Sequence, residues 1–252
     1  RELNKVRYMI SILLLFTFIF PRDLYKEIRI RNIPFSTIPY LSSLGIDLDH
    51  IYKEEGFIQF AISDYDLDKL NFHNVNYQII HDNLEEFYAQ RLTNDFESRD
   101  FELGSMGGYY TYEELEEQLS QINSEYPSLT ELIVIGNTLE GRNVWALKLS
   151  DNASQDENEP EVLYTGLHHA REPMGYMNLF YYINWLLENY GINTLASHIL
   201  DNRELWFIPA VNPDGLVYNQ SIAPNGGGMQ RKNMLETCDG GGADGIDLNR
   251  NY

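Results

Sequence analysis

The sequence predicts an α/β fold in which a mixed, mostly parallel sheet carries helices on both faces and follows a small α+β domain. Short apolar strand patterns alternate with longer helical patterns between residues 104 and 252, which is typical of sheets covered by helices. Strand and helix patterns also alternate, at closer spacing, between residues 24 and 90. The composition is that of a globular protein, with 43% hydrophobic and 22% charged residues among 252.

The first 22 residues have the pattern of an export signal. Three basic residues among the first seven precede an apolar run over residues 9–20, which is shorter than the roughly 20 apolar residues of a membrane span. We therefore expect a signal peptide at residues 1–22 and a secreted, periplasmic or extracellular protein. The alternative is an uncleaved anchor, because Pro21 and Arg22 follow the run directly and no small-residue cleavage site does.

The small α+β domain is predicted over residues 23–92. Extended patterns are followed by helical ones three times in succession, and a polar stretch over residues 93–103 is interpreted as a linker. The predicted strands cover 25–30, 56–63 and 75–80, and the predicted helices cover 38–44, 66–70 and 83–92.

The larger domain is predicted over residues 104–252. Thr111 and Glu114 form a capping box, because each side chain can bind a free backbone N–H at the start of a helix over 112–125. Apolar patterns predict strands at 131–135, 143–149, 161–167 and 205–211, with helices at 174–189 and near 195–200.

Charge and cysteine content exclude several classes of function. Acidic residues outnumber basic ones by 38 to 18, which gives a formal charge of -20. Such a charge repels phosphate backbones and anionic lipid heads, so we expect neither nucleic-acid nor membrane-surface partners. Cys238 is the only cysteine, so a metal site within this chain must use histidines and carboxylates.

A candidate metal motif follows the strand predicted at 161–167. Residues 168–173 read HHAREP, and ligands of open α/β sheets bind just beyond the carboxyl ends of strands. His169 and Glu172 are three residues apart, so an imidazole and a carboxylate can reach one ion from a single turn. Catalytic zinc sites commonly combine two His, one Glu and an open position. A His168–Glu172 pair and a merely polar helix cap are the alternatives.

The surrounding sequence resembles the zinc metallocarboxypeptidases of the A, B and T kind. Residues 166–173, GLHHAREP, are similar to the first zinc-binding signature of that family. The resemblance covers about residues 104–252, and further matching segments occur in order at 107–112 (GGYYTY), 135–142 (IGNTLEGR), 212–215 (NPDG), 230–233 (QRKN) and 247–252 (DLNRNY).

The resemblance implies a role for each matched residue. His169 and Glu172 would be zinc ligands, and Asp247 would hold the His169 ring from behind. Arg231 would stabilise the oxyanion that forms when water attacks the scissile carbonyl. The C-terminal carboxylate of a peptide substrate would be bound by Asn249, Arg250 and Arg171.

The same resemblance implies that the site is incomplete within residues 1–252. In the family a third zinc ligand, which is a His, and a general-base Glu follow the segment that matches 247–252. We therefore expect a fragment that is inactive by itself. The other histidines offer no convincing replacement, since three of them, His50, His73 and His81, lie in the first predicted domain and His198 lies on a helical stretch.

Residues 24–92 resemble the pro-segment of such enzymes, most clearly at 44–50 (LGIDLDH). In the family this segment covers the cleft until proteolysis removes it, so the resemblance implies a zymogen. A permanent accessory domain is the alternative.

A glycine-rich stretch near the end of the chain also needs an interpretation. Residues 240–245 fit the GxGxxG spacing of dinucleotide-binding loops, but we expect a strand rather than a helix after them. We interpret them as loops near the cleft, where Asp239 and Asp244 could hold calcium.

The function expected from sequence is that of an exported, monomeric zinc carboxypeptidase that removes C-terminal amino acids from peptides. A non-catalytic binding or inhibitory module acting through residues 24–92 is the alternative from another class. A cell-wall peptide amidase of the same fold is a third possibility.

Overall fold

The structure is a computed structural model that describes residues 24–31, 36–48, 50–91, 101–237 and 245–250. The export signal predicted at 1–22, most of the predicted linker, and both candidate calcium ligands, Asp239 and Asp244, lie outside these residues. Among the described helices, none combines the length and the apolar character that crossing a bilayer requires.

The described part of residues 24–91 forms a four-stranded antiparallel sheet and three helices. The strand order of the sheet is β2-β3-β1-β4. The predicted alternation of strands and helices is confirmed, with one additional short strand, β2. The elements are β1 (Tyr25–Arg31), α1 (Thr37–Ser43), β2 (Tyr52–Glu54), β3 (Phe57–Ser63), α2 (Asp64–Phe72), β4 (Gln78–His81) and α3 (Leu84–Arg91).

This smaller unit has an apolar core of its own. Alternate residues of β1 and β3 point to the same side of the sheet, and Leu41 of α1 and Leu70 of α2 pack on them. Ile28 and Ile58 are completely buried at the centre of this cluster. Buried and half-buried residues alternate along most of β3 because one face of the sheet is covered and the other is less covered.

The described residues between 101 and 250 form a second four-stranded sheet, four helices and a short 3₁₀ turn. The helices and strands predicted between residues 112 and 211 are present here, with their ends shifted by a few residues. The elements are α4 (Tyr112–Glu125), β5 (Thr130–Asn137), β6 (Asn143–Leu149), β7 (Glu161–Thr165), α5 (Met174–Asn189), α6 (Thr194–Leu200), β8 (Glu204–Ile208), α7 (Pro213–Ile222) and the 3₁₀ turn Leu248–Arg250.

The second sheet is mixed, as predicted, but its described strands are not mostly parallel. Its order is β5-β6-β8-β7, and only β7 and β8 run in parallel. β5 and β6 form a hairpin, because the short turn over 138–142 can join only antiparallel neighbours. Gly141 adopts a φ of 83° in this turn, a conformation that costs glycine little.

The described helices also differ from the expected cover on both faces. All four contribute to a single apolar cluster with strand residues from one face of the sheet, among them Leu147 and Phe207. On the opposite face Leu163 is 62% exposed. Within the described residues, the helices therefore pack on one side of the sheet.

A buried ion pair lies on the less covered face. Lys148 Nζ donates to Glu204 Oε1 at 2.8 Å, and both side chains are almost fully buried. The backbone N–H of Glu157 donates to the same carboxylate at 2.8 Å. Burial alone would raise the pKa of Glu204, but the Lys148 ammonium and the Glu157 N–H outweigh it and lower the pKa.

Two local predictions need correction. Helix α7 begins within the segment NPDG (212–215), for which the sequence predicts no helix. Asn212 caps its first turn by accepting from Gly215 N at 3.1 Å, and Pro213 occupies the first helical position. The strand expected after the glycine-rich stretch is instead a 3₁₀ turn, in which Arg250 N donates to Asp247 O at 3.2 Å.

The capping box of α4 is present and supports a stability prediction. Thr111 Oγ1 accepts from Glu114 N at 3.2 Å, and Glu114 Oε2 accepts from Thr111 N at 2.8 Å. Replacing Thr111 with Ala should destabilise the protein by about 1 kcal/mol, because a helix N–H loses its acceptor. Urea unfolding would measure the loss, and Thr111→Ser, which keeps the hydroxyl, should remain near wild type. Equal stability of the Ala and Ser variants would contradict the role of the cap.

Candidate metal centre

The candidate metal motif occupies the connection between β7 and α5. Leu167, directly before the two histidines, is 3% exposed and has a φ of 52°, a left-handed conformation that is strained for a residue with a branched side chain and costs about 1–3 kcal/mol. The backbone holds it there, because Val211 N donates to Gly166 O and Asn212 N donates to Leu167 O, at 3.0 and 3.1 Å. The connection therefore turns sharply and fixes the direction of the motif.

The side chain of Asn212 joins this connection to the segment around Arg231. Its Nδ2 lies 3.3 Å from both His168 O and Arg231 O, while its Oδ1 caps α7. Ala170 N also donates to Arg231 O at 3.0 Å. Two segments about sixty residues apart in sequence are thus held side by side.

His169 lies between two carboxylates. It is 5% exposed; its Nδ1 is 3.0 Å from Glu172 Oε1, and its Nε2 is 3.1 Å from Asp247 Oδ1. One ring nitrogen can therefore face a metal beside Glu172 while Asp247 holds the other nitrogen. A carboxylate behind a histidine fixes its tautomer and raises its basicity as a ligand.

The alternative pairing of His168 with Glu172 finds less support. Among the described residues, the group of side chains that could share a metal contains His169 and Glu172 but not His168. Burial, reinforced by the neighbouring His169, lowers the pKa of His168 and favours its neutral form.

Asp247 connects the histidine to Arg231. Its Oδ2 accepts from Arg231 Nε at 3.1 Å and from Nη2 at 2.9 Å, while its Oδ1 also accepts from Asn249 N at 2.9 Å. Burial alone would raise the pKa of Asp247, but the Asn249 N–H, the His169 ring and the Arg231 guanidinium together lower it to about 2. Asp247 is therefore a carboxylate at neutral pH.

All three arginines singled out from the sequence, Arg171, Arg231 and Arg250, line one cavity of about 290 Å³. Asp247 lines it as well. Asn249 is not among its lining residues; its backbone N–H binds Asp247, and its carbonyl accepts from Arg250 Nη1 at 2.8 Å. With Lys232, these arginines face three lining carboxylates, Asp47, Asp66 and Asp247, so the cavity beside the candidate metal motif is lined by charges of both signs.

The smaller unit contributes a carboxylate to this cavity. Asp47 Oδ2 lies 3.2 Å from Arg171 Nη2 and 3.4 Å from Arg231 Nε. The two units also approach closely at Gly227, where a Cβ atom would lie 2.7 Å from Glu85 O of helix α3. A residue with a side chain at position 227 would separate the units.

His50 is the site residue that the sequence analysis missed. Its Nε2 lies 2.8 Å from Glu172 Oε1, although the two residues are 122 positions apart. His50, His169 and Glu172 each offer one ligand atom, and these atoms all lie within 4.8 Å of one another. The sequence gives only a weak signal, which is the position of His50 at the end of the stretch LGIDLDH that resembles the pro-segment.

The donor set of this group fits zinc. Two imidazole nitrogens and one carboxylate form the combination that catalytic zinc sites use, with a further position left for water or substrate. Asp247 supplies the partner that such a histidine usually has on its second nitrogen. The described cluster contains no thiolate ligand.

Comparisons with known proteins agree with this chemistry. A family model described as zinc carboxypeptidase matches residues 115–252. A "Zinc carboxypeptidase" from Saccharothrix mutabilis subsp. capreolus is 39% identical over 155 residues, which make up 62% of this chain and 34% of that protein. This chain thus spans about a third of the length of that relative.

Two solved structures share the fold. The carboxypeptidase A from Helicoverpa armigera is similar at a TM-score of 0.66 with 22% identity, over 92% of this chain and 58% of its own. Thrombin activatable fibrinolysis inhibitor is similar at a TM-score of 0.64 with 19% identity, over 91% of this chain and 59% of its own. At this level of identity the likeness concerns the fold.

Proposed function

This chain belongs to the zinc carboxypeptidase family, and from that membership we propose that the protein removes C-terminal amino acids from peptides. The observation that carries the proposal is the arrangement around His169. A carboxylate lies at each of its ring nitrogens, and three arginines line the adjacent cavity. Metal chemistry and recognition of an anionic group would therefore occur side by side.

His169 and Glu172 would hold the zinc ion that the family uses, with Asp247 keeping the His169 ring in place. When bound, zinc supplies the Lewis acid that activates water and polarises a carbonyl. Arg231 is oriented by two hydrogen bonds to Asp247, so its remaining N–H groups would face the cavity in a fixed direction. A guanidinium held in this way would stabilise the oxyanion that forms during hydrolysis.

Arg250 and Arg171 would bind the free carboxylate of the substrate, because a guanidinium offers two parallel donors to a carboxylate. Both line the same cavity as Arg231. Asn249 would act there with its side chain, while its backbone holds Asp247. Asp47 now lies beside Arg171 and Arg231, where a substrate carboxylate would compete with it.

We also propose that the protein is made as an exported, monomeric precursor. Asp47 and His50 of the smaller unit lie beside the candidate site. Such contacts are expected of a segment that covers the site until proteolysis removes it. The same contacts support the alternative of an inhibitory module, which would differ in showing no peptidase activity after the segment is cut away.

Replacing Arg250 with Ala in the whole protein tests the proposed substrate. The variant should lower kcat/KM for peptides with a free C-terminus by about 30-fold, because losing a charged partner of the carboxylate costs about 2 kcal/mol or more. Peptides with an amidated C-terminus should be cut poorly by the wild type and should be little affected by the change.

Arg203→Ala is the matched control, because Arg203 lies before β8 and does not line the cavity. It should leave both rates unchanged. Wild-type protein that cuts free and amidated peptides equally well would contradict the carboxypeptidase proposal and would favour an amidase or an endopeptidase.

A further inference from the structure

We propose that His50 is a zinc ligand of the uncut protein, so that residues 24–91 bind the metal that His169 and Glu172 hold. The inference rests on the proposed zinc function and extends it to the smaller unit. A ligand from that unit would occupy a coordination position that a catalytic zinc site leaves open. The covering segment would then block the reaction at the metal as well as at the arginines.

The distances between the three side chains suit a shared ion. His50 Nε2 and His169 Nδ1 lie 2.8 and 3.0 Å from the same atom, Glu172 Oε1. Two ligand atoms on one tetrahedral zinc ion are about 3.3 Å apart, because zinc bonds to nitrogen and oxygen are roughly 2.0–2.2 Å long. Each nitrogen would therefore need to move away from Glu172 Oε1 by only a few tenths of an ångström to admit zinc. The two nitrogens, which lie within 4.8 Å of each other, would take up the same spacing on the ion.

The loop that carries His50 is fixed by the core of the smaller unit. Ile46 is buried in that core, and Leu48 and Ile51 pack against it. Asp47 and His50 fall between these anchors and point instead to the larger unit, where they reach Arg171 and Glu172. Because the inward and outward residues share one short loop, His50 is presented at a defined position.

The surroundings leave His50 free to act as a ligand. Its side chain is 62% exposed, and that of Glu172 is 42% exposed, so neither is closed off by packing. Both line a cavity of about 550 Å³ that contains residues from the two units. A neutral imidazole can bind a metal through Nε2 from this position with little change of its backbone.

Metal binding and docking of the smaller unit should then support each other. A ligand that binds the docked form more tightly than the separated form stabilises docking by mass action, and the coupling is reciprocal. Zinc should therefore slow proteolysis between residues 91 and 101 in the wild type. This effect gives a readout that does not depend on peptidase activity.

The test compares zinc binding by His50→Ala, His50→Gln and His73→Ala in protein that retains residues 24–91. A chromophoric chelator that competes for zinc would report affinity, and circular dichroism would report folding. Both His50 variants should weaken zinc binding by about 10-fold or more, as expected when a metal site loses a supporting group. His73 is an exposed histidine of the same unit, and its replacement should change nothing.

The Gln variant separates ligation from hydrogen bonding, because a glutamine amide can still donate to Glu172 but is a poor zinc ligand. Free imidazole added to His50→Ala should restore zinc affinity. Cobalt in place of zinc should show a different visible spectrum in the wild type and in His50→Gln.

The outcomes distinguish this inference from the proposed function. Wild-type zinc affinity in both His50 variants, together with loss of zinc in His169→Ala, would overturn the inference and would leave His50 as a hydrogen-bond partner of Glu172 only. Unchanged zinc binding in the His169 variant as well would overturn the proposed zinc site itself.

Discussion

Replacing His169 with Ala should weaken zinc binding by the whole protein by more than about 100-fold, since losing even the group behind a ligand costs about 10–100-fold. His169 is nearly buried between Glu172 and Asp247, so its replacement removes the imidazole that both carboxylates hold in place. Metal analysis after dialysis should find about one zinc per wild-type chain and none in the variant.

Two further variants provide an intermediate case and a control for the loss of zinc affinity. Asp247→Asn keeps the ligand but weakens its support, so its loss of zinc affinity should be intermediate, at about 10–100-fold. His198→Ala changes an exposed histidine of α6 and should have no effect. Equal zinc content in wild type and His169→Ala would refute the assignment of the ligand.

Replacing Lys148 with Met should destabilise the larger unit by about 3–5 kcal/mol, because it leaves the buried carboxylate of Glu204 without its partner. All three tryptophans, Trp145, Trp185 and Trp206, belong to this unit. Their fluorescence during urea unfolding would therefore report its stability. The double variant Lys148→Met/Glu204→Leu should recover most of the loss, because it removes the unpaired charge.

The stabilisation by the Lys148–Glu204 ion pair should decrease as the pH falls. The pKa of Glu204 is lowered in the folded protein. The pair therefore stabilises the protein at pH values above the usual pKa of a glutamate, and this stabilisation is lost as the pH falls through the lowered pKa. The difference between wild type and Lys148→Met should therefore shrink on acidification. Lys53→Met, at an exposed position of β2, should stay within about 0.5 kcal/mol of wild type, and an equal loss in both variants would contradict the role of the pair.

The helices and strands could be predicted where a local signal exists. Helix α4 begins at the capping box of Thr111 and Glu114, and α5 coincides with a long apolar run. Both helices therefore agree with the sequence pattern. Strand direction has no comparable local signal, which is why the antiparallel pairing of β6 with β8 was not foreseen. The start of α7 does have a local signal, because Asn212 is a residue type favoured at N-caps and Pro213 one favoured at the first helical position.

The candidate site was predictable only on the side of the larger unit. The short spacing between His169 and Glu172 is visible in sequence, and the family resemblance adds Asp247 and Arg231. No local pattern indicates that a histidine 122 positions before Glu172 lies 2.8 Å from its carboxylate. That contact depends on how two separately folded cores meet, which is decided by surface shape and charge over the whole interface.

The contacts of Asp47 with Arg171 and of His50 with Glu172 have a consequence for how the two units stay together. Exposed charge contacts contribute about 0–1 kcal/mol each, too little to hold two separate molecules. Both units belong to one chain, however, and covalent linkage of two binding partners gives effective concentrations that reach the millimolar range. A cut between residues 91 and 101 would replace that local concentration by the far lower concentration of free segment in solution. The excised segment would then dissociate on dilution, and adding it back would require a large excess to restore occupancy.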